Sequence, residues 1–170
     1  MVPDPFPGLP DDSRLWVLAL SQPAVGEAAA RLEEGLGALL GRWRHKGQAY
    51  AAAWELREGR LILVVEPSMA TAPSGCAIDG MLRKVRGLAQ ELGFELLGED
   101  RVLVRQDGQI ASVPRTDLAQ ALEEGRLGPD TPVLDLALHH LGQLREGRLE
   151  RPLARTWIGR VFKVAATSPS

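Results

Sequence analysis

The chain has 170 residues, 45% hydrophobic and 25% charged, the make-up of a globular protein long enough to bury a core without a disulfide or metal staple. Its 20 basic and 22 acidic side chains leave a formal charge of −2, the wrong sign for a protein that grips nucleic acid over a broad face. A single cysteine, Cys76, excludes any disulfide within the chain and any zinc site built on several cysteines.

Pro3, Pro5, Pro7 and Pro10 bar a helix and remove ladder donors, so residues 1–13 read as a flexible arm. Neither the basic n-region nor the apolar h-region of a signal peptide is read there. The longest apolar runs, Leu61–Val65 and Ala49–Trp54, are too short to span a bilayer. The expectation is a cytoplasmic protein without a membrane partner. Arg outnumbers Lys by 17 to 3 and Asn is absent; a heat-adapted organism and a GC-rich bacterial genome account for this equally well.

Leu15–Leu20 is a nearly all-apolar run of strand length, closed by Ser21-Gln22-Pro23. From Ala24 the period changes, and Val25, Ala28, Ala29, Leu32, Leu36, Leu39 and Leu40 recur at helical spacing despite Gly35 and Gly37. Gln48–Arg57 and Arg60–Glu66 read as two strands joined at Glu58-Gly59. Tyr50, Ala52, Trp54 and Leu56 share a face in the first, and the second is apolar on both faces, as a central strand is. After a loop over Pro67–Gly75, a second helix runs from about Cys76 to Leu92. Its stripe is Ile78, Met81, Leu82, Val85, Leu88, Ala89 and Leu92, and Gly93 ends it. Phe94–Leu97 and Arg101–Arg105 are the next strands, with Asp107-Gly108 turning the chain into Gln109–Val113.

Strand, helix, strand, strand, helix, strand is the split βαβ order. The expected fold is therefore α+β, a ferredoxin-like sandwich over residues 14–113 with an antiparallel sheet and two helices on one face. Residues 114–163 read as a small, mixed C-terminal appendage. It holds a helix over Thr116–Gly125 capped by Thr116, a turn at Gly128-Pro129-Asp130, a helix over Leu134–Leu144, and a basic stretch from Arg145 to Lys163. Residues 164–170 are expected to fray.

The segment Ser74-Gly75-Cys76-Ala77-Ile78-Asp79 places the cysteine in the first turn of the second helix, with Ser74 as its cap. Free N–H groups and the positive end of the helix dipole favour a thiolate or a bound anion there. Cys76 lies about 160° from Ile78 around the helix, away from the apolar stripe, and Gly80 and Arg83 follow on nearly the same face. Asp79 opposes negative charge at this tip. A small residue buried at a tight loop-to-helix junction is the competing account of Cys76.

A cysteine nucleophile needs a base, and His45 is the candidate, provided its loop lies beside the second helix; the alternative is an exposed histidine in a basic loop. His139 and His140 are neighbours in sequence and cannot chelate as an i, i+4 pair does, so no metal is expected, nor any cofactor. Trp43 with Arg44, and Trp157 with Arg160, offer weak nucleic-acid patches. A solvated helix end and a tryptophan docking the tail are the simpler accounts.

The run Ser74-Gly75-Cys76-Ala77-Ile78-Asp79 resembles the Ser-Gly-Cys-Ser-Ile-Asp motif of a family of small uncharacterised bacterial proteins, with Ala77 in place of the serine. The likeness extends from about Trp43 through Arg101 to Trp157. Members are often labelled ABC transporter ATPases, but this sequence has no Gly-x-x-x-x-Gly-Lys-Ser/Thr loop to hold nucleotide phosphates. More weakly, Asp107-Gly108-Gln109-Ile110 with Asp117, Leu118, Leu122, Gly125, Leu127 and Asp130-Thr131-Pro132-Val133 looks like part of a GYF-type adaptor, without the aromatic residues of its peptide surface. The leading functional reading is a non-catalytic module that takes a small anion or a protein partner at Ser74, Gly75, Cys76, Asp79 and Arg83. A thiol-dependent enzyme or redox sensor using Cys76 and His45 is the alternative, and an RNA-associated protein the third.

Overall fold

A strand that is apolar on both faces has to be paired on both edges, and this one is. In the computed structural model, which describes residues 3–45, 47–67 and 73–166, the chain divides into two units, Met1–Leu97 with Ala137–Glu146, and Gly98–Leu136 with Gly147–Ser170. Lys46, residues 68–72 of the expected Pro67–Gly75 loop, residues 167–170 of the expected frayed tail and the side chain of His45 lie outside the described residues. Both units are α+β, and each has its own antiparallel sheet.

The first unit comprises β1 (Arg14–Ala19), α1 (Gly26–Gly41), β2 (Arg44–His45), β3 (Gln48–Ala49), β4 (Ala53–Arg57), β5 (Leu61–Glu66) and α2 (Gly75–Glu91). Its main sheet has the order β1-β5-β4, antiparallel throughout, with Trp16 and Trp54 flanking Val64 in register. Every residue of β5 is buried. Trp16, Leu18, Ile62, Val64, Trp54 and Leu56 alternate onto one face, where they pack with Leu32, Leu36 and Leu40 of α1 and Ala77, Met81, Val85 and Ala89 of α2. Each fully buried leucine of this set contributes about 2 kcal/mol of transfer free energy. Val25, expected on the α1 stripe, is instead its exposed N-cap.

Two glycines are required by geometry. A Cβ on Gly35 would come within 2.6 Å of Leu88 Cδ1, so the residue that weakens α1 intrinsically is the one that lets α2 approach it. Glu58 and Gly59 both take positive φ (54° and 63°), the mirror-type hairpin turn anticipated between β4 and β5. A Cβ on Gly59 would also collide with the Ala24 carbonyl.

Several expectations are corrected. Gln48–Arg57 is not one strand: Gln48–Ala49 pair with β2, a ladder that Tyr50 extends by donating its N–H to the Trp43 carbonyl (3.0 Å), and only Ala53–Arg57 pair with β5. Phe94–Leu97 is reduced to a single antiparallel bridge, Leu20 opposite Leu96. Phe94 is taken up by the end of α2 instead: with Gly93 at φ 87°, Phe94 N–H bonds the Ala89 carbonyl and Gly93 N–H bonds that of Gln90, a Schellman closure.

The core expected over 14–113 ends at Leu97. β6 (Arg101–Gln106) and β7 (Gln109–Pro114) open the second unit, followed by α3 (Leu118–Glu123) and β8 (Pro132–Leu134). The chain then returns to the first unit as α4 (Leu141–Arg145) before completing the second with β9 (Glu150–Pro152) and α5 (Trp157–Val161). The second sheet has the order β7-β6-β8-β9. It takes β6 because Val102 and Val104 bury with Leu118, Leu127, Val133, Leu153 and Ile158. Thr116 does not cap α3; a 3-10 turn over Arg115–Asp117 precedes the helix after Pro114. The helix expected over Leu134–Leu144 survives only as α4, since Val133 and Leu134 pair with β9 and Asp135 N–H continues to the Leu149 carbonyl (2.7 Å).

The N-terminal arm is held rather than loose. Arg145 Nη2 and Nη1 pair with Asp4 (3.0 Å) and Asp11 (2.6 Å) and donate to the carbonyls of Phe6 (2.9 Å) and Leu9 (2.7 Å), and Phe6 is buried. A backbone N–H from Phe6, then Arg145, holds the Asp4 carboxyl below the ordinary aspartate range. Asp4's share of this attachment is fully present above the ordinary aspartate range and is lost as pH falls through the depressed value. Arg145→Ala should free the arm, read as faster amide exchange or proteolytic cleavage over residues 4–12 at neutral pH; wild-type protection in the variant would assign the attachment to buried Phe6 and to the bond from Gly142 N–H to the Asp11 carbonyl (2.7 Å).

Candidate functional site

The first turn of α2 is built by three contacts. Ser74 is the N-cap in extended geometry, and its hydroxyl accepts the Ala77 N–H at 3.1 Å. Ile78 N–H bonds the Ser74 carbonyl at 3.0 Å. Gly75 and Cys76 are left as the first-turn residues whose N–H groups the helix itself does not use. From the other side, the indole N–H of Trp43 donates to the Ala77 carbonyl at 3.1 Å.

Trp43 is therefore a core residue, 4% exposed, with Tyr50 tilted against it at 4.9 Å and Trp16 edge-on at 5.9 Å. It is not free to stack a base, which corrects the part of the nucleic-acid patch given to Trp43, while Arg44 is exposed. Sequence reasoning missed its structural task because the partner carbonyl lies 34 residues away; the available signal was the spacing of Trp43 and Tyr50 across a short basic turn. The base role expected of His45 turns on its side chain, which lies outside the described residues. β2, the two-residue strand that contains His45, packs against α2.

Cys76 is exposed. The buried line of α2 is Ala77, Met81, Val85 and Ala89, and Cys76 lies about 100° off it. Ser74, Gly75, Asp79 and Arg83 are exposed as well. Among the described residues, Cβ atoms built on Gly75 and Gly80 would meet nothing within 4 Å, so these residues leave the surface beside the sulfur open. Arg83 follows two turns along the same face, about 10 Å farther down the axis. The structure thus brings Ser74, Gly75 and Cys76 together at the tip, leaves Asp79 beside them, and sets Arg83 at the far end of the same stripe.

Trp157 and Arg160 belong to the second unit. Trp157 is half-buried, and the guanidinium carbon of Arg115 sits 4.6 Å from its ring centroid, a cation–π contact that covers one face. A cavity of about 430 Å³ in this unit is lined by Gln106, Asp107, Val113, Arg126 and Leu127. Its wall is partly self-satisfied: Gln106 donates to the Arg126 carbonyl (2.9 Å), and Arg126 pairs with Glu124 (2.7 Å). The His139 and His140 rings lie 4.4 Å apart, and among the described residues no three His, Cys, Asp or Glu side chains gather as a metal site. No helix among the described residues is long and apolar enough to cross a membrane.

No family model, curated protein or solved structure matches the chain.

The Trp43 contact has a measurable weight. Trp43→Phe keeps an aromatic ring but removes the donor to Ala77 and part of the indole volume, and should lower stability by about 1–2 kcal/mol. Trp43→Ala also opens a cavity beside Tyr50 and should cost about 3–5 kcal/mol. Urea denaturation checks both, and equal losses in the two variants would show that the hydrogen bond carries the whole effect.

Proposed function

We propose that this chain is a non-catalytic binding protein that takes a small anion, or the anionic group of a partner protein, at the exposed first turn of α2. The observation that carries this reading is the combination of an open tip with a fixed frame: Ala77 is held through both its N–H and its carbonyl, while the preceding Gly75 and Cys76 face solvent. Two main-chain donors at the positive end of a seventeen-residue helix suit a negatively charged group. The first unit reads here as a ferredoxin-like frame whose fourth strand has shrunk to the Leu20–Leu96 bridge. The resemblance to the Ser-Gly-Cys-Ser-Ile-Asp proteins belongs to the same proposal, as does a cytoplasmic setting, which suits a free exposed thiol.

A thiol-dependent reading stands second, on the exposure of Cys76 and the packing of β2, which contains His45, against α2. The two differ in what the sulfur has to do. Titration of inorganic phosphate or sulfate into the 15N-labelled protein should move the Gly75 and Cys76 amide signals, and Cys76→Ser should retain the response because the donors are main-chain. No movement at these amides sinks the anion reading. Loss of the response in a folded Cys76→Ser protein transfers the function to the thiol.

A further inference from the structure

We infer that the surface formed by Arg151–Lys163 in the second unit is a docking face for an acidic segment of a partner protein. Those thirteen residues carry Arg151, Arg155, Arg160 and Lys163 and no acidic residue, in a chain whose overall charge is negative. All four cations are exposed. They sit on one folded corner rather than on a loose tail. Arg151 Nη2 reaches the Arg155 carbonyl, the Thr156 hydroxyl caps α5 through Ile158 N–H (3.3 Å) while donating to the Leu153 carbonyl (2.7 Å), and Gly159 is pressed against Ala154.

Helical phase orders the face. Ile158 and Gly159 are buried and Trp157 packs against the same core, which turns Arg160 and Val161 to the outer side. Val161 is 62% exposed, one of two large hydrophobic residues so exposed among those described. An apolar residue set among cations, none of them opposed by a carboxylate on the same segment, suits a partner carrying acidic and apolar side chains together.

Two other occupants fit less well. A single nucleic-acid strand would need an open aromatic face, and Arg115 already covers Trp157. Addition of a partner strand to the sheet is hindered at β9, the edge strand of the order β7-β6-β8-β9. Arg151 is spent on Val133 in the ladder, and Pro152 offers no N–H to the outer side. Recognition here is by side chains.

The test uses the full chain with a fluorescent peptide of alternating glutamate and leucine, and an oligouridylate of equal charge as comparator. The peptide should bind at low salt, and the double variant Arg155→Glu/Arg160→Glu should weaken it by about tenfold or more. Val161→Ser should weaken it by a few-fold without altering the salt dependence, a separation that charge alone does not produce. Circular dichroism establishes that the variants are folded; if the double variant is not, Arg155→Gln and Arg160→Gln replace it and should each give part of the loss. Unchanged peptide affinity in folded charge variants, no binding at low salt, or tighter binding of the oligouridylate than of the peptide overturns the proposal.

Discussion

The first unit is organised by the requirement that β5 disappear from water. All six of its residues are buried, Glu66 included, so each N–H and carbonyl along it needs a protein partner. β1 and β4 supply those partners on its two edges. Ile62 and Val64 then need a cover, and the leucine line of α1 with the Ala77–Ala89 line of α2 provides it. A helix that begins beyond the end of β5 and packs back over its own sheet presents its N-terminal turn at the sheet's end. The exposed tip with Cys76 is thus a consequence of burying β5, before any ligand is considered.

What the sequence made legible was whatever is encoded within about one turn or one ladder step. The apolar run Leu61–Val65 announced a central strand, and the positive-φ pairs Glu58-Gly59 and Asp107-Gly108 announced two hairpins that form with that geometry. Phase set Cys76 about 160° from Ile78 and off the apolar stripe, and its exposure decides against the competing account of a cysteine buried at the loop-to-helix junction. The capping role of Ser74 was equally local.

The misreadings share a different cause. Trp43 looked like a surface aromatic among arginines because the carbonyl that receives its indole is far along the chain. The proline-rich arm looked loose because its anchor, Arg145, is 141 positions from Asp4. Leu134–Leu144 carries a helical pattern, yet Val133 and Leu134 bury as a strand, because a ladder with β9 satisfies backbone groups that a helix there would have had to satisfy elsewhere. The boundary at Leu97 was hidden for the same reason. Whether Val102 and Val104 join the first core or start a second depends on partners as distant as Leu153 and Ile158.

The use of hydrogen bonds at the α2 tip bears on what that tip is suited to do. Ser74 takes the Ala77 N–H, and Trp43 gives the Ala77 carbonyl a donor beyond its place in the helix pattern. Ala77 is buried and pinned from both sides, so the Gly75–Cys76 peptide that precedes it is held in place before any partner arrives. An exposed main-chain segment that is already ordered loses little conformational entropy on binding, which matters most when only two donors are offered and each contributes modestly. The glycine at 75 keeps side-chain bulk away from those donors, and the cysteine adds a polarizable atom without blocking them. Rigidity from behind comes from Trp43 and Ser74, and openness in front from Gly75.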